Sequence, residues 1–180
     1  MAINRYPGER GFAAAPRTRV NGAGLESFFR GIAARHPLES TQFICIGTDR
    51  SAGDALGPLT GSRLAQYGIS SVIGTMPEPC DADTLASRLL ELRDDRIVIA
   101  VDACLGSELS VGAYLAAHGP LQPAESVGLR FPPVGDYSIA AVVNRKGPKP
   151  YQSLQTASLH LVMTMADEIA AAAAAGFGLK

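Results

Sequence analysis

Two aspartates stand just beyond buried apolar runs, where a chain can present them to solvent. Asp54 lies eight residues past Phe43-Ile44-Cys45-Ile46, within Gly47-Thr48-Asp49-Arg50-Ser51-Ala52-Gly53-Asp54-Ala55-Leu56-Gly57-Pro58, and Asp102 directly follows Ile97-Val98-Ile99-Ala100-Val101. Two carboxylates held a few ångströms apart cannot both ionise easily. One keeps its proton, and the pair can then act as base and acid in hydrolysis by water.

That chemistry requires the two apolar runs to be neighbours. Residues 42–46, 69–74 and 96–101 read as strands. Between them lie two helices, one marked by Leu56, Leu59, Leu64 and Tyr67 and ending at Gly68, the other by Leu85, Leu89 and Leu92. Asp81 or Asp83 caps the second helix, which closes near 93–95. Alternating strands and helices call for right-handed crossovers and a parallel sheet, so the fold class is α/β. If the strand order is second-first-third, the carboxyl ends of the first and third strands flank the crevice where such sheets bind ligands. Asp54 and Asp102 then share one cleft, with the glycines of 47–57 letting the backbone turn tightly.

Strands at 111–115, 127–131 and 137–143, joined by Gly and Pro turns, make the sheet partly mixed. A short helix over 25–36 packs on the core before Pro37. From Tyr151, the positions Leu154, Ala157, Leu161, Met165 and Ile169 mark one amphipathic helix covering a sheet face. The alanines of 170–175 extend it without a bulky anchor and are expected to fray. The chain thus divides into a flexible N-terminal arm over 1–22, a single domain over 23–170 and a fraying tail over 171–180. The arm holds Arg5, Arg10, Arg17 and Arg19 against Glu9, so contact with an acidic partner or nucleic acid is its alternative role.

With 180 residues, 47% of them apolar, and a formal net charge of −1, the composition is that of a globular protein with no bias toward nucleic acid. Cys45, Cys80 and Cys104 are odd in number and lack metal-type spacing, which argues against a disulfide framework and for a reducing, cytoplasmic setting. No apolar run reaches the roughly 18 to 20 residues of a membrane helix. The first 19 residues lack the hydrophobic region of a secretory signal.

Other readings of the same residues compete. Asp54 could simply cap the helix that begins near Pro58, and Asp102 could bond loop amides. Gly47, Gly53 and Gly57 precede a helix, but the Lys-Ser/Thr of a phosphate-binding loop is missing and two aspartates would repel phosphate. Cys104 could be a thiol nucleophile with His118 or His160 as base, whereas Cys45 reads as inert core. Asp49, Arg50, Glu78 and Asp136 lie at or beyond strand ends and are assigned to substrate binding. The acids of this set, with Asp54 and Asp102, would also suit magnesium or manganese in a metal-dependent hydrolase. No cofactor or metal is assigned.

The blocks 43–58, 101–106, 134–136 and 161–167 together resemble the YyaC-type sporulation proteins, which are similar to bacterial germination protease and more distantly to hydrogenase maturation peptidases. The resemblance spans about residues 42–169. It implies a three-layer α/β/α domain of the phosphorylase/hydrolase type, associated with spore formation, acting on a protein or peptide such as the small acid-soluble spore proteins. It also implies that the two aspartates on which germination protease relies correspond to Asp54 and Asp102. In maturation peptidases a histidine from a later segment helps to hold nickel. Here that segment reads Gly135-Asp136-Tyr137-Ser138-Ile139, without histidine. The expectation is a sporulation-associated peptidase; the alternative is a relative that binds peptides without cutting them.

Overall fold

Thr41–Cys45 is buried at every position, as a strand covered on both faces must be, and the rest of the sheet is laid out from it. The computed structural model describes residues 16–123 and 131–179. In chain order the elements are β1 (Arg17–Val20), α1 (Gly22–Ala33), β2 (Thr41–Cys45), α2 (Leu56–Gln66), β3 (Val72–Ile73), α3 (Leu85–Leu89), β4 (Ile97–Gly106), β5 (Tyr114–Ala117), β6 (Tyr137–Arg145), α4 (Pro150–Gln155) and α5 (Leu159–Gly176).

The sheet runs β1-β5-β6-β4-β2-β3. β3, β2, β4 and β6 are mutually parallel, while β5 and β1 add on antiparallel. The second-first-third order is therefore present in β3-β2-β4, and the sheet is mixed as expected. The strand expected at 111–115 begins only at Tyr114, after a 3-10 turn at Glu108–Ser110. The one expected at 127–131 lies outside the described residues except for Phe131, which is in no strand.

Side chains alternate between two unequal layers. Phe43, Ile99, Val101, Ile139 and Ala141 pack with Leu25 and Phe29 of α1, Leu64 of α2 and Met165 and Ile169 of α5. On the other face Ile44, Ile46, Val98 and Ala100 meet Leu85 of α3 and the connections at Leu121 and Val134. The result is a three-layer α/β/α domain with one thin outer layer. α3 is shorter than its leucine spacing suggests. Beyond Leu89 the bonds Leu90 N to Ser87 O, Glu91 N to Arg88 O and Leu92 N to Leu89 O tighten the chain into 3-10 turns, which leave Leu92 packed on the core.

Three expectations are corrected. The arm does not extend to residue 22, because Arg17–Val20 pairs with β5 as an edge strand and Asn21 caps α1 through Gly24 N at 3.0 Å. The helix from Tyr151 is two helices, since Ser158 starts α5 by accepting from Leu161 N. Nor does the alanine segment fray: Ala172, Ala173 and Ala174 are buried, and Phe177 lies 6.5 Å from Phe29 and 6.4 Å from Phe43 between ring centroids. Small side chains bring α5 close to α1, so the alanines supply packing rather than propensity alone.

Candidate active site

β4 is twice as long as β2, and the surplus creates the site. The last rung between them pairs Cys45 with Val101, and Ile46 N donates to Val101 O at 2.8 Å. Asp102 comes next, beyond the end of β2 yet still inside β4, where it pairs with Ala140 of β6. By alternation it lies on the thinly covered face with Val98 and Ala100. Its Oδ1 accepts the amide of Ala103 at 2.8 Å.

The chain leaving β2 folds back to the same place. Gly47 N donates to Cys80 O at 2.9 Å, Thr48 N to Asp54 O at 3.2 Å and Ala55 N to Ser51 O at 2.9 Å. Gly47 has φ +149, and a Cβ there would collide with the carbonyl of Asp54; one at Gly57 would collide with that of Ile46. Only glycine lets the start of α2 sit on the end of β2. Asp54 is not the cap of α2, whose N-cap is Ala55 without a side-chain bond. From the opposite side, Gly53 N donates to Leu154 O at 2.9 Å, docking α4 on the loop and bringing Tyr151 to its rim.

Asp54 and Asp102 thereby open into one cavity of about 290 Å³, lined also by Thr48, Arg50, Ser51, Asp81 and Tyr151. Burial raises the pKa of Asp54. The Ser51 hydroxyl lies near enough to oppose that shift, yet its Oγ is buried without a partner in hydrogen-bond geometry. Asp81 differs. Burial raises its pKa, but the Thr84 hydroxyl and amide, Arg50 and the Asp83 amide together hold it below the usual carboxylate range. Arg50 Nη2 meets Asp81 Oδ2 at 2.7 Å and Asp83 at 3.6 Å.

Of the residues assigned to substrate binding, only Arg50 lines this cavity. Asp49 is exposed outside it. Glu78 lies in an exposed turn, with its carboxylate 3.5 Å from Arg88. Asp136 is on the opposite edge of the sheet: its Oδ2 accepts from Val98 N and its N donates to Val98 O, both at 2.8 Å. An acid that precedes a parallel strand sits at the amino edge, and Val98 is four residues, or about 13 Å, before Asp102 along β4.

Asp81 and Tyr151 were missed as site residues. Asp81 was read only as a cap; the N-cap of α3 is Thr84, and Asp81 Oδ1 instead accepts from Asp83 N and Thr84 N, both at 3.1 Å, in the turn before the helix. Tyr151 was read as a helix start. A signal was available for each: Asp81 follows the segment that continues the second strand, and Tyr151 follows the Gly-Pro-Lys-Pro turn beyond the last strand.

The cysteine reading is not supported by the placement of its bases. His118 stacks on Tyr137, which pairs with Ile99, five residues or about 16 Å before Cys104 along β4. His160 is exposed on α5. Burial pushes the Cys80 thiol up to about 12, with Arg88 opposing and Asp102 adding to the shift, and burial raises Cys45 as well. Among the described residues no group of three His, Cys, Asp or Glu side chains is arranged to hold a metal ion.

Residues 24–172 match the family described as DUF1256, protein of unknown function. The chain belongs to the DUF1256 family. It is 43% identical over 132 residues to "Uncharacterized protein YyaC" of Bacillus subtilis (strain 168), a match covering 71% of this chain and 64% of that protein, so the chain spans less than two thirds of its length. Among solved structures it is similar to the [NiFe] hydrogenase maturation protease HycI from Thermococcus kodakarensis KOD1, with TM-score 0.56 and 20% identity over 84% of this chain and 99% of that one. At that identity the likeness bears on the fold of this DUF1256 protein, which is a three-layer α/β/α fold. None of its described helices is long and apolar enough to cross a membrane.

Proposed function

We propose that this DUF1256 protein is a peptidase in which Asp54 and Asp102 activate water for hydrolysis of an amide bond. The observation that carries the reading is that Asp54 and Asp102 line one cavity while burial raises the pKa of Asp54. In a pair that shares one proton, Asp54 is the acid and Asp102 the base. Asp102 takes a proton from water as the water oxygen bonds to the peptide carbonyl carbon. The carbonyl oxygen gains charge, and Asp54 donates its proton to the departing nitrogen as the C–N bond breaks. The proton on Asp102 then returns to Asp54 through solvent, so the net reaction adds one water across one amide.

Tyr151, half exposed, offers an aromatic surface to the substrate chain, and Arg50, anchored by Asp81, lines the same cavity. On this reading small acid-soluble spore proteins are the first substrates to try, and the activity would belong to sporulating cells. Incubating the purified protein with them, from acidic to neutral pH, should yield discrete fragments by mass spectrometry. Tight peptide binding without fragments at any pH would replace the peptidase with a binding protein.

A further inference from the structure

Asp102 and Ala103 line a second hollow of about 240 Å³, on the side of β4 away from Asp54. This hollow crosses the thinly covered sheet face past Ala140 of β6 and Leu115 of β5 to Arg17 of β1, with Lys146 above the end of β6. The register fixes that order. Asp102 pairs with Ala140, Ala140 with Leu115, and Arg17 lies on the next strand opposite Ala117. The two hollows thus adjoin at Asp102 and Ala103, which line both.

Their charge differs. The Asp54 side holds three carboxylates counting Asp102, and its cation, Arg50, is committed to Asp81 and Asp83. The far side has Arg17 and Lys146 against Asp102 as its one acid among the lining residues. Among the described residues neither forms an ion pair, although acids slightly outnumber cations in the whole chain. The segment Asn144-Arg145-Lys146-Gly147-Pro148-Lys149-Pro150 adds Arg145 and Lys149 with no acid. A cationic pocket in line with a hydrolytic cleft recognises an anion carried by the substrate.

We infer that the hollow beyond Asp102 is a subsite for a carboxylate of the peptide, attracted by the positive charges of Arg17 and Lys146 at its two ends. This rests on the peptidase reading. Three inter-strand spacings separate β4 from β1, about 14 Å, and extended chain rises about 3.3 Å per residue. The carboxylate therefore lies within about four residues of the cleaved bond. It is either an acidic side chain or the free carboxyl terminus of a short substrate.

The test uses full-length Asp54→Asn protein, so that binding is read without turnover. Amide resonances are followed by NMR during titration with three probes: N-acetylglutamyl amide for a side-chain carboxylate, N-acetylalanine for a terminal one, and N-acetylglutaminyl amide as the neutral control. Saturable shifts centred on residues 17 and 146, produced by one or both acids and weakened at least fivefold by Arg17→Gln with Lys146→Gln, are expected. The acid that binds identifies the source. Equal shifts with the neutral probe, shifts retained in the double variant, or none with either acid would overturn the subsite. Circular dichroism of the double variant checks its fold, and Arg17→Lys, which keeps the charge, should retain binding. The two readings fail separately: cleavage without charge preference removes only the subsite, and carboxylate binding without cleavage removes only the peptidase.

Discussion

Gly47 and Asp54 are seven residues apart in sequence, yet the backbone of one rests on the other, so that a methyl group on Gly47 would meet the Asp54 carbonyl oxygen. The position of Asp54 is therefore set by a glycine at the end of β2. Gly47→Ala, at φ +149, should destabilise the protein by about 2 to 4 kcal/mol and remove activity in the fraction that still folds. Denaturant unfolding and a cleavage assay on the same sample check both effects. A stable, active Gly47→Ala protein would show that the loop can shift without disturbing Asp54.

Burial leaves its mark on pH dependence. The folded pKa of Asp54 is raised above its unfolded value, so between the ordinary aspartate pKa, about 3.9, and the raised one the folded state binds more protons. Stability contributed by Asp54 falls as pH rises through that window and does not return above it. Asp54→Asn removes the penalty. Its Tm should exceed that of the wild type near neutral pH and coincide with it below the ordinary aspartate value. Activity of the wild type should decline as pH rises past the raised pKa, because the proton donor is lost.

Asp136 provides the contrasting case. It closes the first rung between β4 and β6 from the amino edge, so Asp136→Asn should cost about 1 to 2 kcal/mol of stability while kcat stays within about twofold, a change worth less than one RT unit of barrier. A large fall in kcat at unchanged stability would return Asp136 to the site.

The C-terminal segment is expected to matter for folding. Phe177 joins the ring cluster of Phe29 and Phe43, and Phe177→Ala should lose about 1 to 3 kcal/mol. Ending the chain at residue 170 should lower Tm further, as buried alanines of α5 leave with it. Thermal unfolding of both variants measures this, and an unchanged Tm would mean that the segment adds no stability.

The sequence carried the parallel core plainly, because buried strands such as β2 and β4 are continuous apolar runs and the intervening leucines repeat at helical spacing. It also carried the placement of Asp54 and Asp102 on one cavity, since an acid that follows a parallel strand lies at the carboxyl edge of the sheet. The same rule, applied to direction, would have removed Asp136, which comes before its strand. Glu78 and Asp49 were harder to exclude: nothing local distinguishes a loop acid that turns outward from Asp81, which turns into the cavity. Tyr151 reaches the site only because Leu154 O docks on Gly53 N, a contact across about a hundred residues. The alanines of α5 were misread because propensity is a local property, whereas Phe29, Phe43 and Phe177 assemble from three distant places.

The most direct measurement is single-turnover cleavage of a responsive peptide by wild type, Asp54→Asn and Asp102→Asn, with circular dichroism confirming the fold of each. The account predicts that each substitution slows cleavage by about a thousandfold or more, as expected for loss of an acid or base that acts as half of a pair. Cleavage by either folded variant at a rate close to that of the wild type would contradict it.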